Sequence, residues 1–147
     1  MLELLTVVFV IGGLGAYAVY NHLGQMPKYR LDRVASELRA SLSACRMQAV
    51  SRNCSIAASL DTDTKTLQLW HDANTNGTED SGEVTIHDYG DVPGLTLQSA
   101  SSGGVFTARG GYESAEVSWI VRCDVAGVDG RYVVVVPGGH VRCTDSL

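Results

Sequence analysis

From Leu4 to Tyr20 every position is apolar or glycine except Thr6. A helix of that length would run about 25 Å, close to the thickness of a hydrocarbon core. After Asn21 the pattern becomes two-faced. Leu31, Val34, Leu38, Leu42, Cys45 and Ala49 recur at three- and four-residue steps, while Arg30, Arg33, Glu37 and Arg39 take other faces. This spacing predicts a helix over 27–52, with Pro27 kinking the junction or starting a new segment and Arg52-Asn53 marking the end. The arginines read as a solvated face.

Beyond Cys54 the period shortens to strand-like runs at 55–60, 66–70, 84–89, 95–98, 117–123, 132–136 and 140–143. Turn signals separate them: 61–64, Asn76-Gly77, Pro93-Gly94, Gly103-Gly104, Gly110-Gly111, Asp129-Gly130 and 137–139. The segment 99–104 reads as a loop, and the chain has no internal repeat. The expected fold class is α+β: a long N-terminal helix, half membrane-spanning and half amphipathic, packed on an antiparallel β-sheet domain. The expected divisions are 1–24 for the membrane or filament-core helix, 25–53 for its amphipathic continuation and 54–147 for the β domain.

Composition narrows the function classes. The 147 residues carry a formal charge of −5, 45% apolar residues and 18% charged ones, which suits one domain able to bury a core. An acidic chain with a pI near 5.2 argues against a broad phosphate-binding surface. A cleaved secretory signal would begin with basic residues, and none precedes this apolar stretch, so a retained anchor is expected rather than a signal or a buried core helix. Glu3 is the only charge before Asn21. A carboxylate near lipid costs on the order of 3 kcal/mol unless it finds a cationic partner, so a partner is expected.

Met1-Leu2-Glu3-Leu4-Leu5, running into an apolar stretch and then an amphipathic helix, resembles the N-terminus of type IV pilins and type II secretion pseudopilins. Further segments narrow the resemblance to the GspH/FimT type of minor pseudopilin and minor pilin. They are 45–53 (CRMQAVSRN), 72–83 (DANTNGTEDSGE), 105–110 (VFTARG) and 138–142 (GGHVR). The resemblance implies a type IV pilin-like fold and a structural subunit rather than an enzyme. Such a subunit assembles through its N-terminal helix into a type II secretion pseudopilus or a type IV pilus.

In the family a prepilin peptidase cuts ahead of a Phe-Thr-like pair and leaves the Glu fifth, with methylation part of the processing. Glu3 stands third here, so an in-frame Gly-Phe-Thr-like triplet is expected upstream in the gene. Glu3, Leu4 and Leu5 are the expected assembly residues, Glu3 meeting the N-terminal amine of a neighbouring subunit. The implied partners are other pilin subunits, the inner-membrane assembly platform and the prepilin peptidase. The implied location is a single pass through the bacterial inner membrane with the C-terminal domain in the periplasm, then the filament. Lys28, Arg30 and Arg33 follow the anchor and by positive-inside counting would hold that side cytoplasmic. The cysteines, and the basic leader of the family, favour the periplasm.

Asp72, Asn74, Asn76, Thr78, Asp80 and Glu83, with Gly77 at the sixth position, match the spacing of a twelve-residue calcium loop. Structural Ca²⁺ is expected there, with a metal-free acidic hairpin turn as the alternative. Cys45, Cys54, Cys123 and Cys143 make an even set suited to an oxidising compartment. Of the three pairings, Cys123 with Cys143 is favoured because both edge a Val-rich hairpin region, leaving Cys45 with Cys54. Closing the longer loop would contribute roughly 3 kcal/mol. His22, His71, His87 and His140 lie in different segments and nominate no catalytic group. Two other functions remain open: a DNA-binding minor pilin of natural uptake, touching DNA through Arg131 and Arg142, and a membrane-tethered, calcium-stabilised adhesion module.

Overall fold

The computed structural model describes residues 2–71, 84–99, 101–114, 118–125 and 128–145. One helix, α1, runs unbroken from Leu2 to Arg52 with Pro27 inside it. Pro27 therefore begins no second segment; its missing N–H leaves one carbonyl a turn back without its helical partner. The helix stops where the sequence puts its end. Asn53 takes the left-handed conformation at φ 52°, its N–H donates to the Val50 carbonyl, and the Cys54 N–H reaches back to the Ala49 carbonyl. These two bonds make a Schellman stop, with asparagine in the place glycine usually fills.

Among the described residues nine strands follow: β1 (Ile56–Asp61), β2 (Thr66–His71), β3 (Val84–Asp88), β4 (Leu95–Ser99), β5 (Gly103–Phe106), β6 (Tyr112–Glu113), β7 (Trp119–Val125), β8 (Val128–Val135) and β9 (Val141–Thr144). They form two antiparallel sheets, ordered β3-β2-β1-β5-β6 and β4-β7-β8-β9. The sequence reading is corrected at three places. Segment 99–104 is not wholly loop, because Gly103 and Gly104 open β5 against β1. Tyr112 and Glu113 form a short edge strand. Asp129-Gly130 lies inside β8 rather than in a turn, since Val125 and Val128 already face each other across the β7–β8 hairpin.

The buried face of α1 consists of Leu31, Val34, Ala35, Leu38, Leu42, Cys45 and Ala49. It packs on β7, β8 and β9 of one sheet and on β1 and β5 of the other. Sheet residues alternate to meet it: Trp119, Val121, Cys123 and Val125 on β7 point inward, as do Val133 and Val135 on β8. Phe106 and Tyr112 of one sheet continue to Trp119 of the other, with ring centroids 5.0 Å and 6.1 Å apart. The core is thus one cluster shared by the helix and both sheets.

Candidate assembly interface

Among the described residues the N-terminal part of α1 is exposed throughout, from its first turn to Tyr20. Leu4, Phe9, Ile11, Leu14, Tyr17 and Tyr20 are 64–80% exposed, on all sides of the helix. Among the described residues no side chain is buried before Leu31. An apolar rod exposed all round has no stable place in water and requires lipid or other helices around it. By length and composition it can cross a membrane. Glu3 lies in the first turn, where the acidic side chain complements the positive end of the helix dipole, and the Thr6 hydroxyl donates to its carbonyl at 2.8 Å. Leu4 is exposed beside it; the side chain of Leu5 lies outside the described residues. Glu3 and Leu4 are therefore free to meet a partner.

The other end of the helix is pinned. Arg46 Nε donates to the Gly110 carbonyl at 2.9 Å, and its Nη1 lies 3.5 Å from His140 Nδ1. Gly139, at φ 73°, lies so close that a Cβ there would stand 2.0 Å from the Gly110 oxygen and 2.9 Å from Arg46 Nε. The Tyr112 N–H donates to the Pro137 carbonyl beside them. The segments 45–53, 105–110 and 138–142 thus meet at one joint. Sequence reasoning gave Arg46 no role; the available signal was that the three segments are rich in arginine and glycine, the residues of a tight backbone contact.

Arg131 and Arg142, the arginines of the alternative DNA-binding reading, lie in different surroundings. Arg131 Nε is held by Asp32 of the helix at 2.9 Å, and its Nη1 also pairs with Asp145. It is a strut between β8 and α1, with its charge already matched. Arg122 pairs with Asp124 at 2.8 Å and lies 5.7 Å over the Tyr132 ring. Arg142 is exposed on β9.

All four cysteines are thiols in this structure. Strand β8 lies between Cys123 on β7 and Cys143 on β9. Two strand spacings are roughly 10 Å, whereas a disulfide joins Cα atoms about 4.4–6.8 Å apart. The favoured Cys123–Cys143 pairing therefore does not fit this sheet order. Cys45 and Cys54 are electrostatic neighbours at the helix end.

Burial pushes the Cys45 and Cys123 thiols up from 9.0 to about 12, with smaller contributions from Cys54 on the first and from Cys143 and Asp124 on the second. Burial likewise raises Tyr89 from 10.0 to about 12, helped by Glu37. Each group keeps its proton in the fold at a pH where the unfolded chain loses it, so the unfolded state binds fewer protons and stability falls as pH rises. The reduced chain is expected to hold its melting temperature up to about pH 9 and to lose it steadily toward pH 12, the window set by the two thiols. Thermal melts along that series check it; a Cys45→Ala, Cys123→Ala double variant with an equally steep decline would refute the assignment to the thiols.

His71 and His87 line one open cleft with Cys45, Ser41 and Trp70. Among the described residues no three His, Cys, Asp or Glu side chains converge as metal ligands. The calcium-loop residues Asp72, Asn74, Asn76, Thr78, Asp80 and Glu83 lie outside the described residues. The strands on either side are antiparallel, with Trp70 opposite Val84, so 72–83 connects a β-hairpin and not two helices.

Residues 34–139, from the buried helix face through the joint, match the family described as type II transport protein GspH. The chain belongs to the GspH family. A comparison with curated protein sequences gave no match. Among solved structures, the type IV minor pilin FimU of Pseudomonas aeruginosa PAO1 superposes with a TM-score of 0.63 at 23% identity, over 80% of this chain and 90% of FimU. The minor pseudopilin EpsH from the type 2 secretion system of Vibrio cholerae gives a TM-score of 0.61 at 13% identity, over 78% of this chain and 96% of EpsH. At these identities the two structures speak to the fold, and they share it: a long N-terminal helix on antiparallel sheets, the α+β pilin-like architecture expected from the sequence.

Proposed function

We propose that this GspH-family chain is a structural minor pseudopilin or minor pilin subunit. It waits in the bacterial inner membrane as a single-pass protein with its β domain in the periplasm, and then enters a type II secretion pseudopilus or type IV pilus. The observation that carries the reading is one continuous helix with two environments. Its C-terminal half is buried in the domain, while its N-terminal half is apolar and uncovered on every side. Such a helix can exchange lipid for neighbouring helices without any change in its own domain. The partners are other pilin subunits, with the assembly platform and the prepilin peptidase acting before them. The role asked of every residue named is structural, and FimU and EpsH are a minor pilin and a minor pseudopilin.

Glu3 would neutralise the N-terminal amine of a neighbour in a low-dielectric helix bundle, where an unmatched charge is costly. With the gene expressed in a strain lacking its own copy, Glu3→Ala is expected to leave the protein in the membrane fraction while its amount in sheared filaments falls at least about tenfold, as for an uncompensated buried charge. Equal entry of variant and parent would remove Glu3 from assembly. A parent chain absent from every filament fraction would sink the reading as a whole.

A further inference from the structure

At the base of the β domain, where α1 leaves it toward the apolar half, an open groove of about 900 Å³ is lined by Gln25, Lys28, Arg122, Asp129, Tyr132 and Asp145. Its charges are of both signs, and most of them are already matched. Arg122 is held over Tyr132 by Asp124. Arg131, also in the lining, pairs with Asp145 and with Asp32 of the helix. Among the described residues Lys28 on the helix side and exposed Asp129 on the strand side are left without an ion pair. The floor is Gly130, where a Cβ would lie 2.1 Å from Asp124 Oδ1 and 3.2 Å from Arg122 Nε, so the ion pair rests directly on bare backbone.

The depth of the groove is set by the helix. At 1.5 Å per residue, Gly24 and Lys28 lie roughly 6 and 12 Å beyond Tyr20. Tyr17 and Tyr20 are exposed at the end of the apolar run, the level at which aromatic side chains meet lipid headgroups. The groove therefore opens on or just above the headgroup layer, whose thickness is about 5–8 Å on each side.

We infer that this groove binds the headgroup of a zwitterionic phospholipid, phosphatidylethanolamine, with Lys28 taking the phosphate and Asp129 taking the ammonium. One unmatched charge of each sign in one groove fits a headgroup that carries both, whereas a purely anionic headgroup would leave Asp129 facing its charge. The contact would hold the domain upright on the membrane before the subunit is drawn into a filament. The inference rests on the membrane-spanning part of the proposed function and on no other part of it.

The test uses the full chain in bilayer discs of equal phosphatidylethanolamine and phosphatidylglycerol, with native mass spectrometry counting the lipids that stay bound on release. The parent is expected to retain phosphatidylethanolamine in preference to phosphatidylglycerol. Lys28→Ser and Asp129→Asn, both at exposed positions, should each lower that retention about fivefold, the scale of one exposed ion pair. Asp129→Asn should also shift the preference toward phosphatidylglycerol, a change that loss of folding would not produce. Equal retention of the two lipids by the parent, or a preference for phosphatidylglycerol, overturns the inference. A chain that fails to float with vesicles of the same composition overturns it together with the anchor. A chain that retains phosphatidylethanolamine yet never enters filaments refutes only the assembly reading.

Discussion

Gly103→Ala is expected to lower the melting temperature by roughly 10–20 °C, the equivalent of about 3 kcal/mol in a domain of this size. The new Cβ would stand 1.9 Å from the Ala58 carbonyl oxygen and 2.8 Å from Ser59 Cα. Both are backbone atoms of β1, so no side chain can swing aside. The φ of 154° adds its own strain for any residue with a Cβ. Relief requires β5 to move off β1, which gives up the pairings of Ala58 with Gly104 and Ser59 with Gly103. It also strands the Leu60 N–H that donates to Ser102 at 2.7 Å. Gly138→Ala is the control, because its nearest neighbour is the His140 ring at 3.5 Å. Thermal melts of the parent and both variants decide the matter. A Gly103→Ala chain that melts with the parent would mean that β5 does not approach β1 this closely.

Trp119→Ala should cost about 3–5 kcal/mol, the range for removing a large buried aromatic side chain. Trp119 is fully buried, stacks on Tyr112 with an interplanar angle of 6°, and so links the four-stranded sheet to the five-stranded one. Its Nε1 donates to the Ser99 hydroxyl at 2.7 Å and to the Ser101 carbonyl at 3.1 Å. Trp119→Phe separates the two contributions. It keeps most of the ring and loses the donor, so about 1–2 kcal/mol is expected for the unmatched Ser99 and Ser101 groups. Denaturant titrations of the full chain in detergent measure both. If the alanine and phenylalanine variants fall by the same amount, the hydrogen bonds within its own sheet and not the stack on Tyr112 carry the contribution of Trp119.

These two residues show what local pattern can reveal and what it cannot. Leu31, Val34, Leu38, Leu42, Cys45 and Ala49 were readable as one face because a helix repeats every 3.6 residues wherever it packs, and all six are buried. The helix end at Arg52 was readable because an asparagine that accepts a left-handed φ follows it. The strand runs of β1, β2, β4 and β9 were placed to within one residue for a similar reason, since alternation is local. Gly103 and Gly104 read as a turn because glycine permits one. Only the approach of β1 makes them a strand, and no neighbour in sequence carries that information. The same holds for Tyr112 and Glu113, too short a run to show a period.

Charge and thiol partners followed the same division. The positions of Arg131 and Asp32 on their own elements were plain, but their pairing spans 99 residues and exists only once β8 lies on the helix. Cys123 and Cys143 looked adjacent because both flank valine-rich strands; the sheet order places β8 between them. Arg46 had no visible task until the turns at Gly110 and Gly139 closed around it.

The sequence alone therefore determined the long helix, its greasy and two-faced halves, the lone Glu3 at its head and the family that these segments resemble. The helix, its two halves and Glu3 are properties of composition and short-range periodicity, and the resemblance rests on the residues of particular segments. Tertiary structure alone decided that the strands divide into two sheets, that the helix is pinned at Arg46 and Asp32, and that charges of both signs gather in a groove at the level of Lys28. Each of these depends on backbone segments far apart in the chain coming within a few ångströms, which is set by how the whole core packs and not by any local run of residues.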